Sequence, residues 1–301
     1  MEKDKSKNNN QITLGSDPEV FLYSTELGVF FPAFGVITGG YGPVIHGDKE
    51  LPFQIIGPGF STQVDNVMCE YNIPPSSSEV EFSNNIQKVM DWLKENLPAP
   101  LVVKVQPSAE FTDEMLASDE AHIVGCSADY SAYTGDDVSV GTLSKSNFRF
   151  AGGHIHVGYP NPNFFSSTKL IKWMDIFLGL PSVILDHDER RKAVYGTPGR
   201  WRDKEFGLEY RVLSNWWTEK HEYRIWVFRQ VEKAYYAFIQ GVEIGKEFEE
   251  QVFNCISKNN AEQARILMKH FDVTDELFTT IFNMKLEQYA TADNNNQTGL
   301  S

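Results

Sequence analysis

Apolar and polar residues alternate along several short segments of the chain, a pattern typical of β-strands that are buried on one face. In the segment AGGHIHVG, residues 151–158, the side chains of His154 and His156 would share one face of a strand, opposite two apolar residues. An isolated His-x-His pair is more often two hydrogen-bonded strand residues than a pair of ligands. The other polar strands therefore decide its role.

Carboxylates follow the same alternation in GSDPEVFL, residues 15–22. Asp17 and Glu19 are two residues apart, so they would lie about 7 Å apart on one face of a strand. Two such charges repel each other unless a cation lies between them. A solvated strand edge with ordinary surface acids is the alternative interpretation.

A second acidic segment is QVDNVMCEYN, residues 63–72. Taken as one strand, it places Asp65 and Glu70 on opposite faces, so only one of them would reach a common site. Glu70 is favoured, because a carboxylate between Cys69 and Tyr71 needs a partner in so apolar a context. Asp65 would join the site through a β-bulge.

A third strand-like segment, FGLEYRVLSNWW at residues 206–217, places Glu209 and Arg211 on one face. The alternative for these two residues is a cross-strand ion pair, which contributes little on a surface. Residues 125–137 are expected to form a loop, which leaves the role of Asp129 open.

Arginines are concentrated just before this strand, in DERRKAVYGTPGRWRD. A glycine-bearing loop that carries guanidinium groups suits bidentate binding of phosphate or carboxylate. Arg200 and Arg202, which lie beside the turn, favour such a role. Charge on a solvated helix end explains Arg190 and Arg191 nearly as well.

The ligand types favour a hard divalent cation such as Mg²⁺, which prefers carboxylate and water oxygens with an occasional imidazole. The three cysteines, Cys69, Cys126 and Cys255, form no C-x-x-C pair, so a structural zinc site has no support.

Together these segments resemble a known family. GSDPEVFL, AGGHIHVG and LEYR are similar, in the same order, to the metal-binding strands of glutamine synthetases. The larger set, with QVDNVMCEYNIPP, GCSADYSAY, DHDERRKAVYGTPGRWR and EYRVLSNWW, resembles the phage-encoded carboxylate-amine ligases of type 2 over residues 13–240.

The resemblance implies an ATP-dependent enzyme that transfers the γ-phosphate to a carboxylate, after which an amine displaces phosphate from the acyl phosphate. It implies ATP and two or more Mg²⁺ ions, or Mn²⁺ in their place, as cofactors. By this resemblance, Glu19 and Glu70 would hold one ion, and Asp17, His154 and Glu209 would hold the second. His156 would contact the γ-phosphate, and Arg200 and Arg202 would contact the phosphate chain. Arg211 would contact the transferring phosphoryl group. His156 and Arg211 are thus the catalytic candidates. Asp17 is one methylene shorter than the glutamate usual at this position in glutamine synthetases.

The order of the elements, with strands early and helices late, predicts an α+β fold. The resemblance implies a curved antiparallel sheet, the partial barrel of glutamine synthetases, with packed helices and a helical carboxyl-terminal part. The expected divisions are a disordered segment 1–12, a catalytic domain 13–240, packed helices 241–290 and a disordered tail 291–301. The shorter chain argues against the ring-shaped assembly of glutamine synthetases and against free ammonia as the amine, and it leaves an oligomer open.

The composition limits the classes of partner that we expect the protein to bind. The 301-residue chain has a net charge of −14, which disfavours nucleic acid. The segment Leu170–Leu185 contains Lys172, Asp175 and Pro181, so we expect a kinked buried helix and no membrane span. The polar amino terminus and scattered cysteines predict a cytoplasmic protein, in the host cytoplasm if a phage encodes it. The expected partners are small-molecule or peptide carboxylates and amines.

Two other classes compete with the ligase. A catalytically inert binding or structural phage protein with the ligase fold is the first, and the intact charged residues argue against it, because buried charges without partners are costly. A cupin-like metal enzyme is the second, but YPNPNFF follows the histidines where that motif needs a glutamate. The chain has neither a G-x-x-x-x-G-K phosphate loop nor a G-x-S-x-G nucleophile elbow.

Overall fold

The structure of the protein is a computed structural model that describes residues 11–39, 54–122, 129–138, 146–186 and 188–298. The expected disordered segments at the two ends lie partly outside the described residues. The expected domain boundaries stay a prediction.

Alternating segments with a buried apolar face form the strands. Their bounds are β1 Thr13–Ser16, β2 Glu19–Ser24, β3 Val29–Phe31, β4 Gln54–Gly57, β5 Phe60–Asp65, β6 Met68–Ser76, β7 Leu101–Lys104, β8 Ser108–Glu110, β9 Asp129–Ser131, β10 Asp137–Val138, β11 Phe148–Phe150, β12 Ile155–Gly158, β13 Arg200–Lys204 and β14 Gly207–Tyr210.

Most of these strands belong to one antiparallel sheet. Its main path among the described strands runs β10-β9-β13-β14-β12-β1-β6-β2-β3, and the strands β4, β5 and β7 extend it from β6 and β2. β8 and β11 form a separate two-stranded sheet. The four polar segments of the sequence thereby become neighbours, because β14, β12, β1, β6 and β2 follow one another across the large sheet.

Helices cover the sheet and dominate the second half of the chain. Their bounds are α1 Glu79–Asn96, α2 Phe164–Met174, α3 Leu180–Leu185, α4 Glu189–Val194, α5 His221–Ile239, α6 Lys246–Ser257, α7 Ala261–His270 and α8 Glu276–Thr298, with 3₁₀ turns at Asp119–His122 and Asn215–Thr218. α5 contacts α1, α2 and α8, while α1 also packs on β6. The main core lies between these helices and the sheet.

The segment Leu170–Leu185 is helical and largely buried, as predicted. A π-helical turn, Asp175–Gly179, separates α2 from α3, and Pro181 lies in the first turn of α3, where its missing N–H is tolerated. Among the helices of the described ranges, none has the length and apolar character that crossing a bilayer requires.

The predicted α+β class, with an antiparallel sheet and a helical carboxyl-terminal part, is confirmed. Two local expectations were wrong. Of the expected loop at 125–137, residues 125–128 lie outside the described residues, and the remainder contains β9 and the first residue of β10, which pair with each other and leave Asp129 buried. The segment 63–72 is not one strand, because a turn divides it into β5 and β6.

Candidate metal and phosphate site

The turn between β5 and β6 changes which acids meet. Asn66 adopts a φ of 59°, a left-handed conformation that asparagine tolerates in tight turns. Because β5 and β6 then run antiparallel, with Gln63 opposite Glu70, the side chains of Asp65 and Glu70 lie on the same face. The parity argument along a single strand therefore does not apply, and Asp65 reaches Glu70 without a bulge.

The first acid cluster consists of Glu19, Asp65 and Glu70, whose carboxylates offer oxygen atoms that all lie within 4.8 Å of one another. Glu19 on β2 stands directly opposite Glu70 on β6. Like charges at directly opposed positions destabilise a sheet unless a proton or a cation separates them. Burial, reinforced by Asp65, raises the pKa of Glu19 to about 8, and burial and the Asp17 charge raise the pKa of Glu70 well above its usual range.

Gly152 anchors this cluster to the histidine strand. The Glu19 N–H donates to the Gly152 carbonyl at 2.9 Å, and the Gly152 N–H donates to the Glu19 carboxylate at 2.5 Å. A Cβ atom at Gly152 would lie 2.3 Å from Nε2 of His154, so only glycine fits between the side chains of Glu19 and His154.

The second cluster consists of Asp17, His156 and Glu209, which again offer atoms within 4.8 Å of one another. The register of the sheet produces it, because His156 on β12 stands opposite Glu209 on β14. Asp17 lies in the interruption between β1 and β2, and its Oδ1 is 3.2 Å from Nε2 of His156. Asp17 Oδ1 and His156 Nε2 are buried and make no well-formed hydrogen bond within the described residues, and Oε2 of Glu209 forms an ion pair with Lys204.

His154 borders the same cluster. Its Nδ1 lies 3.4 Å from Oδ1 of Asp17 and 3.7 Å from Oε1 of Glu209. Both histidines therefore reach the two acids. Burial and the Arg211 charge lower the pKa of His154, whereas the carboxylates of Asp17 and Glu209 outweigh burial and raise the pKa of His156.

The two acids of the second cluster are held ionised. Burial and Asp17 act to raise the pKa of Glu209, but Arg211 and the two histidines lower it to about 2. Burial likewise opposes ionisation of Asp17, and the charge of His156 together with contacts to His154 brings its pKa well below the usual range. In the absence of a cation, the acids of the first cluster thus favour the protonated state, whereas Asp17 and Glu209 of the second cluster favour the ionised state.

Three of the predicted phosphate-binding arginines converge on one carboxylate. Asp129 is 1% exposed. It contacts the guanidinium groups of Arg200, Arg202 and Arg211 at 3.2, 3.0 and 3.1 Å. Arg202 also stands opposite Glu209 in the β13–β14 register, so the arginine group adjoins the second acid cluster.

Arg211 lies at the centre of the site and is 2% exposed. Its Nη1 contacts the Glu209 carboxylate and lies 3.1 Å from Nδ1 of His154, while its Nη2 lies 3.0 Å from the hydroxyl of Tyr195. The guanidinium group therefore links the acids, the histidines and the other arginines.

The other two arginines of this segment, Arg190 and Arg191, lie apart from the group around Asp129. Arg191 is fully buried, and it donates to the backbone carbonyls of Ala151, Val212 and Leu213, which makes it a structural residue behind the site. The side chain of Arg190 is 60% exposed and lies over the ring of Phe148, with 4.4 Å between them.

Four site residues were not among the sequence candidates or were left open there. They are Asp65, Asp129, Tyr195 and Lys204, whose Nζ lies 2.7 Å from Oε2 of Glu209. Lys204 was detectable, since it belongs to the same strand as Arg200 and Arg202, with its side chain on the same face as theirs. The role of Tyr195 had no sequence signal, because it depends on the residue after α4 lying beside His154 in the folded chain.

The donor sets fit divalent cations. The first set contains carboxylates alone, and the second contains two carboxylates and imidazole, which are ligands of Mg²⁺ and Mn²⁺. The opposed Glu19 and Glu70 side chains, and the buried Oδ1 of Asp17 and Nε2 of His156, are the features of the described residues that a bound cation would satisfy.

A known family matches part of the chain. The family described as "Phage phiEco32-like COOH.NH2 ligase-type 2" matches residues 92–235. The predicted resemblance is confirmed for this segment. The match to the type 2 ligases includes the histidine strand, the arginines and Glu209, whereas Asp17, Glu19 and Glu70 lie before it.

The other comparisons gave distant likenesses. No curated protein sequence matches significantly. A bifunctional glutathione synthetase from Pasteurella multocida is 11% identical with a TM-score of 0.39, over 93% of this chain and 47% of that one. A structure described as a novel glutamine synthase homolog is 10% identical with a TM-score of 0.39, over 93% of this chain and 68% of that one. The chain thus spans about half the length of the glutathione synthetase.

Proposed function

We propose that the protein is an ATP-dependent carboxylate-amine ligase that works through an acyl phosphate. The observation that carries the proposal is the union of two acid clusters and an arginine group on neighbouring strands of one sheet. The match of residues 92–235 to a family of COOH.NH2 ligases supports the class of reaction.

The acid clusters would hold the divalent cations. Glu19, Asp65 and Glu70 would bind one ion, which adds Asp65 to the predicted ligands. Asp17, Glu209 and His156, which form the second cluster, would bind the second ion, whereas the predicted ligand His154 borders that cluster. When bound, Mg²⁺ neutralises charge on the phosphate oxygens of ATP.

The arginines would bind and orient the nucleotide. Arg200 and Arg202 are each partly exposed and already aligned by Asp129, so they are placed to hold the phosphate chain. Arg211 is more deeply buried, beside Glu209, and would stabilise the negative charge that develops on the transferring phosphoryl group.

The reaction would follow in two balanced steps. An oxygen of the substrate carboxylate attacks the γ-phosphorus of ATP, the bond to the β-phosphate oxygen breaks, and ADP leaves. The amine nitrogen then attacks the carbonyl carbon of the acyl phosphate, inorganic phosphate leaves with the bonding electron pair, and the nitrogen loses a proton to give the amide. Phosphoryl transfer of this kind depends mainly on positioning and charge stabilisation, which this site offers.

The test is amine-dependent release of ADP from ATP and Mg²⁺ in the presence of pooled carboxylates, including amino acids and peptides. We expect turnover by the wild-type protein and its loss in Glu19→Gln. Asp203→Asn removes an exposed acid from β13 and is the matched control, which should keep full turnover. Normal binding of Mg-ATP without turnover for any carboxylate and amine pair would instead favour an inert binding protein with the ligase fold.

A further inference from the structure

Lys204 pairs with one of the candidate cation ligands, and none of the roles proposed above involves this lysine. Its Nζ lies 2.7 Å from Oε2 of Glu209, and its side chain is 31% exposed. Arg202 and Arg211 instead approach Oε1 of the same carboxylate. The two oxygen atoms of Glu209 therefore face different cations, with guanidinium groups at Oε1 and an ammonium group at Oε2.

The atom that Lys204 contacts is also the one that a cation in the second cluster needs. Nε2 of His156 lies 3.9 Å from Oε2 of Glu209 and 3.2 Å from Oδ1 of Asp17. A cation held by these three residues would therefore use Oε2. Burial and, to a smaller extent, the ammonium charge of Lys204 act against the raised pKa of His156, so this charge reaches both ligands.

The register of the sheet explains how the lysine reaches this carboxylate. Lys204 lies two residues after Arg202 on β13, so both side chains share the face that carries the acids. Lys204 stands opposite Gly207, which in turn stands opposite Gly158. Because glycine has no side chain, this row of the sheet leaves room for the lysine stem to bend toward Glu209 in the adjacent row.

A lysine suits a contact that is exchanged. Its ammonium group is a compact point charge on a flexible four-carbon stem, whereas the guanidinium group of arginine makes planar two-point contacts. An ammonium group and a divalent cation at one oxygen atom repel each other, and Glu209 is fully buried, where solvent weakens this repulsion least. A cation that binds Oε2 must therefore displace Lys204.

We propose that Lys204 is an exchangeable counter-ion, whose ammonium group neutralises Glu209 until a divalent cation binds the second cluster and then moves to a phosphate oxygen of ATP. The competition with the cation follows from the shared oxygen atom. The contact with phosphate rests on the proposed function, and it is supported by the position of Lys204 beside Arg202 on the site face of β13.

The first measurement is the Kd of the second cluster for Mn²⁺ without nucleotide, by calorimetry. The parent protein is Glu70→Gln, which removes a ligand from the first cluster only. Lys204→Met and Lys204→Gln both remove the charge in this background, so either serves if the other does not fold, and Lys204→Arg keeps the charge. Lys169→Met is the matched control, since Lys169 is a lysine on α2 with 57% exposure. Thermal melting would show which variants keep the fold.

We expect Mn²⁺ to bind at least about 10-fold more tightly to the two variants without the charge, because a competing cation has been removed. Lys204→Arg and Lys169→Met should keep the weaker affinity of the parent. The second measurement uses saturating Mn²⁺ and an otherwise wild-type chain, in which the Kd for ATP should rise in Lys204→Met because a phosphate contact is lost. A merely structural role would not move the two affinities in opposite directions.

An unchanged or weaker affinity for Mn²⁺ in the folded variants without the charge would overturn the proposal, and so would the absence of Mn²⁺ binding by the parent and these variants alike. An unchanged Kd for ATP would overturn the movement to phosphate. Tighter Mn²⁺ binding in a protein without ligase turnover would count against the proposed function and leave the competition between Lys204 and the cation standing.

Discussion

Asp129→Asn is the perturbation that most directly tests how the arginine group is held together. The substitution keeps the size of the side chain and removes a carboxylate that contacts Arg200, Arg202 and Arg211 together. Three guanidinium groups then lie close together without that negative charge. Removal of one partner from a buried ion pair typically costs about 3–5 kcal/mol, and Asp129 and Arg211 are 1% and 2% exposed.

The expected loss is measurable by thermal melting and urea unfolding. For a protein of this size, about 1 kcal/mol corresponds to roughly 2–4 °C in Tm, so Asp129→Asn should melt at least roughly 6 °C below the wild type. Asp203→Asn carries the same change of charge at an exposed position of β13 and should stay within about 0.5 kcal/mol of the wild type.

Inorganic phosphate supplies a second, independent measurement. An anion that binds the folded protein raises its stability, and the arginines of Asp129→Asn no longer share their charge with a carboxylate. Phosphate should therefore raise the Tm of Asp129→Asn by more than that of the wild type. Equal melting of Asp129→Asn and Asp203→Asn, with the same response to phosphate, would refute the role of Asp129.

Three further predictions follow from the site and its surroundings. Arg211→Lys keeps a positive charge but loses the planar guanidinium contacts, so amine-dependent ADP release should fall about 100-fold or more while the Kd for Mg-ATP changes much less; undiminished turnover would remove Arg211 from the mechanism. Burial raises the pKa of Glu19 to about 8, so Mn²⁺ must displace a proton from this carboxyl group near pH 7. Calorimetry in two buffers should detect the released proton, and the affinity for Mn²⁺ should rise with pH up to about pH 8. An affinity for Mn²⁺ that does not change with pH would contradict this prediction. Burial raises the pKa of Asp175 in the folded protein to about 7, so the folded protein binds this proton more tightly than the unfolded chain does. The stability gained from that proton is lost as the pH rises from about 4 to 7. Urea unfolding of Asp175→Asn should therefore show a flatter pH dependence than that of the wild type, and an identical profile would contradict this assignment.

Local patterns were sufficient to predict the class of the fold and the strands that carry the site. Alternation placed His154 and His156 on one face, and the register with β14 then determines that Glu209 stands opposite His156. The pairing of strands far apart in the sequence is not a local property, which is why the neighbours of each residue emerged only in the folded sheet.

Asp65 and Asp129 illustrate what the sequence could not reveal. The side chain of Asp65 reaches Glu70 because the chain reverses at Asn66, and the alternation of a continuous strand hides such a turn. Asp129 meets Arg200 through the pairing of β9 with β13, which joins residues about 70 positions apart. A lone aspartate in a segment without clear periodicity gives no signal for that contact.

The central claim is that the two acid clusters bind two cations together with ATP, and the most direct measurement is a count of bound Mn²⁺ by equilibrium dialysis. We predict two ions per wild-type chain in the presence of ATP, and loss of one ion in Glu70→Gln, which removes a ligand from the first cluster only. Asp203→Asn should bind the same number as the wild type. No bound Mn²⁺ in the wild type, or the same number in wild type and Glu70→Gln, would contradict the assignment of the site.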